Sequence, residues 1–250
     1  MLTDELAKKA SKEAIKRELK VEDYMVGLKY SYAIVHGQKG RTMGVAYMPV
    51  EDLSRGFAKK PVIENLLHMV ASTNMQEKSL GIAFINAISQ YILWFEDEGK
   101  NIKHENIVDY IPKCCPEGNV VVIGNMVPLV RNLSQRMKVS VIERNPKLRF
   151  GAYSDSLAPR LLSKADVAII TGATLVNDTI DYILQITKGK KFLVGPTAGI
   201  YPPWLKDKVD LVAGTKIVDI EKTKEIIRGG GGRWDFADYC DEYIFTLNTF

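Results

Sequence analysis

The chain has 250 residues, with 34 basic and 30 acidic side chains, so its formal net charge is +4. Hydrophobic residues make up 46% of the sequence and charged residues 26%. These values are close to those of soluble globular proteins and exclude a disordered, collagen-like or coiled-coil chain. The basic residues form no concentrated stripe, so we expect no nucleic-acid partner. This length fits one large domain or two modest ones, and we predict two.

The first half of the chain is typical of a small α+β domain. Lysines and glutamates surround an apolar stripe at helical spacing near the N-terminus. β-branched and aromatic residues then predict a hairpin whose turn has a glycine at each end. The predicted elements are a helix over residues 2–20, a hairpin from Tyr24 to Met48, a helix from Pro61 to about Val70, and a long helix from Glu77 to Glu98 that Gly99 ends.

The longest uncharged run, Ser79 to Phe95, predicts a buried core helix. It contains Asn86, Ser89 and Gln90, which make it too polar for a membrane span. The N-terminus lacks the basic and then apolar order of a signal peptide. The three cysteines cannot form a disulfide framework, and two are adjacent, which favours a reducing compartment. We therefore expect a cytoplasmic protein with no membrane partner.

The second half of the chain has a different pattern. Short β-branched runs alternate with mostly helical segments, which predicts βαβ units on a parallel sheet buried on both faces. Residues 99–118 are typical of a connector. We therefore predict an α/β protein with a small domain over residues 1–115 and a Rossmann-like, mostly parallel domain over residues 116–250. The predicted strands are Val120–Gly124, Val139–Glu143, Ala165–Thr171, Lys191–Gly195 and Leu211–Gly214.

The loops that follow these strands are the predicted ligand site. In an open parallel sheet, ligands bind beyond the carboxyl ends of the strands. Each loop combines glycine or proline with small polar residues, which turn chemistry explains only in part. Together they carry many uncharged hydrogen-bonding groups, so we expect a small polar ligand. The polar loop residues are Thr171, Thr174, Asn177, Thr197 and Thr215.

The first loop, Gly124 to Pro128, differs from the dinucleotide-binding motif because it has one glycine where that motif has three. A pyrophosphate therefore fits poorly there. Glu143 ends the second strand about twenty residues after the first, where an acidic residue binds ribose hydroxyls in nucleotide folds. The alternative is that Glu143 is solvated or paired with Arg144.

Two further features have both a structural and a functional interpretation. Asn86 interrupts an otherwise apolar helix, so its amide either bonds locally or points into a polar cleft. Four glycines, Gly229 to Gly232, follow a predicted helix, and Gly229 is the expected left-handed cap. The remaining glycines, Gly230 and Gly231 among them, present backbone amides to an anion or form a mobile linker.

Metal ligation by local spacing has little support. The three histidines are far apart, and no Cys-x-x-Cys or His-x-x-x-His pair occurs. The adjacent Cys114 and Cys115 resist a shared tetrahedral site, so buried and inert thiols are the expected state. The sequence pattern points to no particular metal.

The order and spacing of several segments resemble the putative heavy-metal chelation family, which has an enolase-N-like first domain and a Rossmann-like second domain. The resemblance covers most of the chain. The segments that carry it are Ser79–Ala87, Val122–Pro128, Val141–Pro146, Ile170–Thr179, Leu193–Thr197, Ala213–Lys216 and Gly229–Gly232.

The resemblance implies a cleft between the two domains. The family is associated with heavy-metal handling or with a pterin-like small molecule. No cysteine or histidine lies in the shared segments, which favours oxygen ligands or a metal already held by an organic chelator. The implied cleft residues are Asn86, Asn125, Glu143, Thr174, Asn177, Thr197 and Thr215.

These observations support three hypotheses. The first is a protein that binds a small polar or anionic metabolite, a pterin-like compound or a metal chelate between its domains, with Glu143 as the candidate acid or base. The second is a transferase that uses a nucleotide or S-adenosylmethionine, with Glu143 on a ribose. The third is a homo-oligomeric scaffold whose hairpin tyrosines, Tyr30, Tyr32 and Tyr47, form the contact surface.

Overall fold

The computed structural model describes residues 1–53, 55–97 and 99–248. These residues contain a three-stranded and a seven-stranded β-sheet. The strands are β1 (Lys20–Met25), β2 (Tyr30–Gly37), β3 (Gly40–Tyr47), β4 (Ile102–Lys103), β5 (Asn119–Ile123), β6 (Lys138–Ile142), β7 (Val167–Thr171), β8 (Lys190–Val194), β9 (Leu211–Ile217) and β10 (Cys240–Thr246). The α-helices are α1 (Leu2–Lys16), α2 (Leu67–Val70), α3 (Met75–Phe95), α4 (Ile107–Cys114), α5 (Val127–Leu133), α6 (Ala158–Leu162), α7 (Ala173–Val176), α8 (Ile180–Ile186) and α9 (Ile220–Arg228).

The small sheet contains the predicted hairpin. Strands β2 and β3 pair antiparallel from Tyr30–Tyr47 to Gly37–Gly40, which leaves a two-residue turn at the tip. Strand β1 adds to the other side of β2. Because glycines stand at both ends of the turn, the backbone meets little steric restriction there. The mixed α/β architecture predicted from the sequence is confirmed.

Helix α3 is buried on every side. Each residue from Glu77 to Leu93 is buried, which fits the long uncharged and mostly apolar run that begins at Ser79. It packs against the small sheet, against α1 and α2, and against the turn at Pro196–Ala198 that follows β8. Helix α3 is therefore the shared core of the two sheets. Within residues 1–53, 55–97 and 99–248, none of the helices has the length and apolarity needed to cross a membrane.

The ends of several helices differ from the sequence prediction. Helix α1 ends at Lys16, and the chain from Lys20 onward forms β1. The segment from Pro61 forms a short 3-10 turn before α2. Helix α3 begins after Asn74, whose side chain accepts from the amides of Gln76 and Glu77. Its predicted end, Glu98, lies outside the described residues.

The seven-stranded sheet has the order β4-β10-β9-β8-β7-β5-β6. Strands β5 to β9 are parallel, and β10 and β4 add antiparallel at one edge. All five predicted parallel strands are present. The sheet reverses its direction of growth between β5 and β7, so this is the topological switch point where doubly wound proteins bind ligands.

The two faces of this sheet have different coverings. Helices α6 and α8 pack on one face together with α3, in a cluster that includes Ile123, Ile170 and Leu193. Helices α4 and α5 pack on the other face, in a cluster that includes Val122 and Phe192. Strand β4 and helix α4, which precede residue 116, thus belong to the large sheet and its covering layer. The predicted connector over residues 99–118 contains both of these elements.

Gly44 gives a direct test of how closely α3 packs on the hairpin. A β-carbon added at Gly44 would lie 2.2 Å from the carbonyl oxygen of Ala83 and 2.2 Å from the amide nitrogen of Ala87. Both neighbours are backbone atoms of α3, and moving them would disturb the hydrogen bonds of the helix. We expect Gly44→Ala to lower the free energy of unfolding by about 3 kcal/mol, measured by urea denaturation.

Gly229→Ala is the matched control. An added β-carbon there would lie 3.4 Å from its nearest neighbour, and the φ angle of Gly229 is −75°. We expect its unfolding free energy to stay within about 1 kcal/mol of wild type. Equal stability of the two variants would contradict the close packing of α3 on β3.

Candidate functional site

A cavity of about 850 Å³ opens at the carboxyl ends of the parallel strands. Its lining includes Gly124 after β5 and Thr171 at the end of β7, so it lies at the switch point of the sheet. A β-carbon at Gly124 would approach Thr171 Cγ2 to 2.8 Å, which shows how closely the two strand ends meet. The volume is in the range of small-molecule sites, about 300 to 1,000 Å³.

Six of the nine residues predicted from the sequence line this cavity. They come from the loops after β5, β6, β7 and β8 and from β9, which converge because parallel strands end at one edge of the sheet. Asn86, Gly230 and Gly231 are not among the lining residues. The six are Asn125, Glu143, Thr174, Asn177, Thr197 and Thr215.

Glu143 joins the first two loops of the sheet. Its Oε2 atom accepts a hydrogen bond from the amide of Asn125 at 2.8 Å, and its Oε1 atom accepts one from the amide of Asn145 at 2.8 Å. Hydrogen bonds from backbone amides to a carboxylate are among the stronger ones in proteins. The carboxylate is therefore held in place at the cavity wall, and its predicted role as acid or base stays a prediction.

The backbone amides of the first loop are all engaged within the protein. A phosphate-binding loop needs free amides that point at the ligand, and Pro128 has none to offer. This is the structural reason why the single-glycine loop does not form a phosphate cradle. The bonds are Gly124 N to Ile142 O at 2.8 Å, Asn125 N to Glu143 Oε2 at 2.8 Å, Met126 N to Gly124 O at 2.8 Å and Val127 N to Asn125 O at 3.0 Å.

The four-glycine run is also internally bonded, which argues against both interpretations made from the sequence. Gly230, with φ of 84°, has the left-handed conformation expected of Gly229, and the amides of Gly230 and Gly231 close the C-terminus of α9. None of the four amides is available to an anion. The bonds are Gly229 N to Glu225 O at 3.0 Å, Gly230 N to Ile227 O at 3.0 Å, Gly231 N to Ile226 O at 2.9 Å and Gly232 N to Asp235 Oδ2 at 2.6 Å.

Asn86 connects the two sheets instead of contacting the cavity. Its side chain is 1% exposed, and its Nδ2 atom donates to Val45 O at 2.8 Å and to Thr197 O at 3.0 Å. The Thr197 hydroxyl in turn accepts from the amide of Tyr47 at 2.9 Å. Asn86 and Thr197 therefore hold β3 against the turn after β8, and only Thr197 also lines the cavity.

Gln90 extends this connection by one helical turn. Its Nε2 atom donates to Gly199 O and to Tyr243 Oη, both at 2.9 Å, and its Oε1 atom accepts from Trp94 Nε1 at 2.7 Å. A role for Gln90 in joining the two halves of the chain was not predicted from the sequence. The available signal was the spacing of Asn86, Gln90 and Trp94, which places all three on one face of a helix.

Thr215 and Asn177 line the cavity and carry polar groups without an internal partner, as do Tyr30 and Tyr47 through their hydroxyls. Thr215 is 5% exposed, and its hydroxyl has no hydrogen-bond partner within the described part of the chain. The Oδ1 atom of Asn177 accepts from the amide and hydroxyl of Thr179, while its amide nitrogen has no acceptor among the described residues. The Thr174 hydroxyl, by contrast, donates to Thr171 O at 2.7 Å.

Of the hairpin tyrosines, Tyr32 lies in the interior, and Tyr30 and Tyr47 are half-buried. Tyr32 is fully buried, and the Tyr30 ring makes edge contacts with Tyr47 and Phe236. Tyr30 and Tyr47 line the cavity. Burial, with the nearby Glu51 and Glu143 carboxylates, raises the pKa of Tyr47 to about 12, so its hydroxyl stays protonated at neutral pH. These tyrosines do not form the exposed contact surface that the scaffold hypothesis requires.

The charged residues of the lining do not favour an anion. Carboxylates outnumber cations, and the Arg233 guanidinium donates to Glu242 at 2.6 Å while the Lys29 ammonium lies 3.9 Å from Asp235. The remaining wall is largely apolar, with Met126, Leu129 and Val194 among its residues. The charged lining residues are Lys29, Arg144, Arg233, Glu51, Glu105, Glu143, Asp155, Asp235 and Glu242.

The described residues offer no donor set suited to a heavy metal. Within them, no group of three or more His, Cys, Asp or Glu side chains is placed to hold an ion. Burial raises the pKa of Cys114 and raises that of Cys240 to about 11. The metal ligand is the thiolate, and both side chains are neutral thiols at physiological pH.

The fold and cavity define a doubly wound α/β protein with a small-molecule site at its switch point. The chain belongs to the DUF364 family, whose model, described as "Putative heavy-metal chelation", matches residues 106–246. A second model with the same description, DUF4213, matches residues 8–89.

Three relatives are similar over nearly their whole length. The uncharacterized protein MJ0500 of Methanocaldococcus jannaschii is 34% identical, over 99% of this chain and 98% of that protein. A DUF364 protein of unknown function from Pyrococcus horikoshii is 32% identical, with a TM-score of 0.87 over 98% of this chain and 100% of the other. A DUF364 protein from Desulfitobacterium hafniense shares the fold, with 18% identity and a TM-score of 0.73 over 95% and 98% of the two chains.

The thiol pKa shifts predict low reactivity of Cys240. In a Cys114→Ser, Cys115→Ser variant, Cys240 remains as the single thiol of the chain. A pKa near 11 leaves little thiolate at pH 8, so we expect iodoacetamide to react at least about tenfold more slowly with the native protein than with the urea-unfolded chain. The native rate should rise as the pH approaches 11. Equal native and unfolded rates at pH 8 would contradict this interpretation.

Proposed function

We propose that this protein binds a small, planar, polar heterocycle of the pterin type in the cavity at the switch point. The observation that carries the proposal is a largely apolar cavity of about 850 Å³ whose lining includes polar groups without an internal partner, among them the Thr215 hydroxyl and the Asn177 amide nitrogen. Apolar walls with a few placed polar groups are the usual composition of a small-molecule site. Pterins present an aromatic face together with donors and acceptors along their edges.

The internal bonding of the backbone amides favours a ligand without phosphate. The loop after β5 and the glycine run are the two segments that resemble anion sites in sequence, and their amides donate to protein acceptors. A phosphate would therefore have to break existing hydrogen bonds, at a cost of about 1 kcal/mol each. The excess of carboxylates in the lining also disfavours a phosphate, because it repels negative charge.

For heavy metals, the proposal is recognition of a chelate. The half-buried thiols of Cys114 and Cys240 are protonated at neutral pH, so a metal would enter already held by an organic ligand, and the cavity would contact that ligand. The three free cysteines fit a reducing compartment such as the cytoplasm, where we place the protein.

S-adenosylmethionine is the second candidate. Glu143 follows the second parallel strand, the position from which an acidic residue binds ribose hydroxyls in nucleotide folds, and this ligand carries adenosine without phosphate. Its binding would indicate a transferase. Both oxygens of Glu143 already accept backbone amides, which places this candidate behind the pterin.

A thermal-shift panel separates the candidates. The probes are neopterin, lumazine, S-adenosylmethionine, ATP, cadmium chloride and a cadmium–citrate chelate. A ligand at a hundred times its Kd stabilises the folded state by about 2.7 kcal/mol. We expect neopterin or lumazine to raise the melting temperature and ATP to leave it unchanged. A shift with ATP alone, or with free cadmium alone, would overturn the proposal.

Substitution of two of the unengaged groups tests the site itself. Thr215→Val keeps the shape of the side chain and removes its hydroxyl, and Asn177→Ala removes the amide. We expect each to weaken pterin binding by about tenfold, measured by calorimetry, because each removes one hydrogen bond to the ligand.

Thr223→Val is the matched control. Thr223 is fully buried in α9, its hydroxyl has no partner among the described residues, and it does not line the cavity. We expect this variant to bind as wild type does and to be at least as stable. Loss of affinity in Thr223→Val equal to that in Thr215→Val would show that the effect is general and would remove the site assignment.

A further inference from the structure

Trp234 is an exposed aromatic residue in the wall of the cavity. It is 63% exposed and belongs to the lining, whereas large aromatic side chains usually bury most of their surface in the protein. In the sequence, Trp234 follows the glycine run and Arg233. Most of the indole surface is therefore open to a ligand at the cavity wall.

The backbone holds Trp234 in a defined place. The amides of the four preceding glycines are bonded to α9 and to Asp235, so the segment that carries the indole is anchored on both sides. Gly230 has a φ of 84°, which turns the chain away from α9 at little steric cost. Gly231 lies against α9, since an added β-carbon there would approach Ile226 Cγ2 to 2.3 Å. The glycine run is thus an ordered loop that connects α9 to the cavity wall.

Arg233 orients the ring. Its guanidinium donates to Glu242 at 2.6 Å, and its side chain is 14% exposed. The guanidinium carbon lies 5.4 Å from the centroid of the Trp234 ring, a cation–π contact, and 5.9 Å from that of Phe236. An arginine fixed by an ion pair therefore supports one part of the indole, while most of the ring surface stays free.

We infer that Trp234 is the stacking platform of the site and determines its preference for planar heterocycles. This inference rests on the proposed function and adds the residue that selects the class of ligand. Stacking needs only an aromatic face on the ligand, and it contributes strongly when an indole is held in place before binding. Thr215 and Asn177 would then bind the polar edges of a ring whose face lies on Trp234.

The test uses the full chain with neopterin, lumazine and riboflavin as probes, and it measures Kd by calorimetry. We expect Trp234→Ala to weaken binding of these planar probes by about tenfold or more. Trp234→Phe keeps an aromatic face and should stay within about threefold of wild type. Trp204→Phe is the matched control, because Trp204 packs against Tyr201 and does not line the cavity. It should leave each Kd unchanged.

Indole fluorescence gives a second readout that a purely structural role would not change. Stacking of a probe on Trp234 should quench part of the emission of the wild-type protein and of Trp204→Phe. In Trp234→Phe, which still binds, this part should be absent, since the remaining tryptophans, Trp94 and Trp204, pack within the protein.

The outcomes separate the inference from the proposed function. If the probes bind wild type, if Thr215→Val weakens them, and if Trp234→Ala binds as tightly as wild type, the stacking role is overturned and the proposed function stands. If none of the planar probes binds wild type, both are overturned. The stacking role would also be overturned if Trp234→Ala and Trp234→Phe weakened probe binding equally and if the probe quenched the emission of Trp234→Phe as much as that of wild type.

Discussion

The burial of α3 from Glu77 to Leu93 is the constraint on which the rest of this structure depends. A helix with no solvent-exposed side needs apolar neighbours all round, and its buried amides need hydrogen-bond partners. The hairpin approaches its backbone at Gly44, where no side chain would fit. Asn86 and Gln90 bond to the other half of the chain. The relative position of the two sheets follows from these contacts, and so does the cavity, because Tyr47 and Thr197 line it and are bonded to each other.

The chemistry of the cavity is decided by which polar groups are already engaged. Much of its polar lining is bonded internally: Glu143 to two amides, Thr174 to a carbonyl, and Arg233 to Glu242. Such groups give the cavity a fixed shape and leave few sites for new hydrogen bonds. The open surface that remains is mostly apolar or aromatic. A site of this kind selects ligands by the shape and face of a ring more than by charge.

Elements with a clear local sequence pattern were predicted correctly. Features that depend on contacts between distant parts of the chain were not. The five parallel strands are continuous β-branched runs, and the hairpin has a marked turn, so both were predictable. Strand β10 mixes exposed acidic residues with a buried Tyr243 and Ile244, and β4 has two residues, so neither has a clear local signal. The glycine run suggested free amides, but Glu225, Ile226, Ile227 and Asp235 accept their hydrogen bonds.

The sequence by itself determined the class of fold, the parallel strands and the loops that meet at one edge of the sheet, because side-chain periodicity and turn residues act over short distances along the chain. Only the tertiary structure decided that Asn86 joins two sheets, that Thr215 and Asn177 keep groups free, and that Trp234 lies in the wall of the cavity. The physical reason is that burial and hydrogen-bond satisfaction depend on atoms brought together from distant parts of the chain. Asn86 and Thr197, for example, are 111 residues apart.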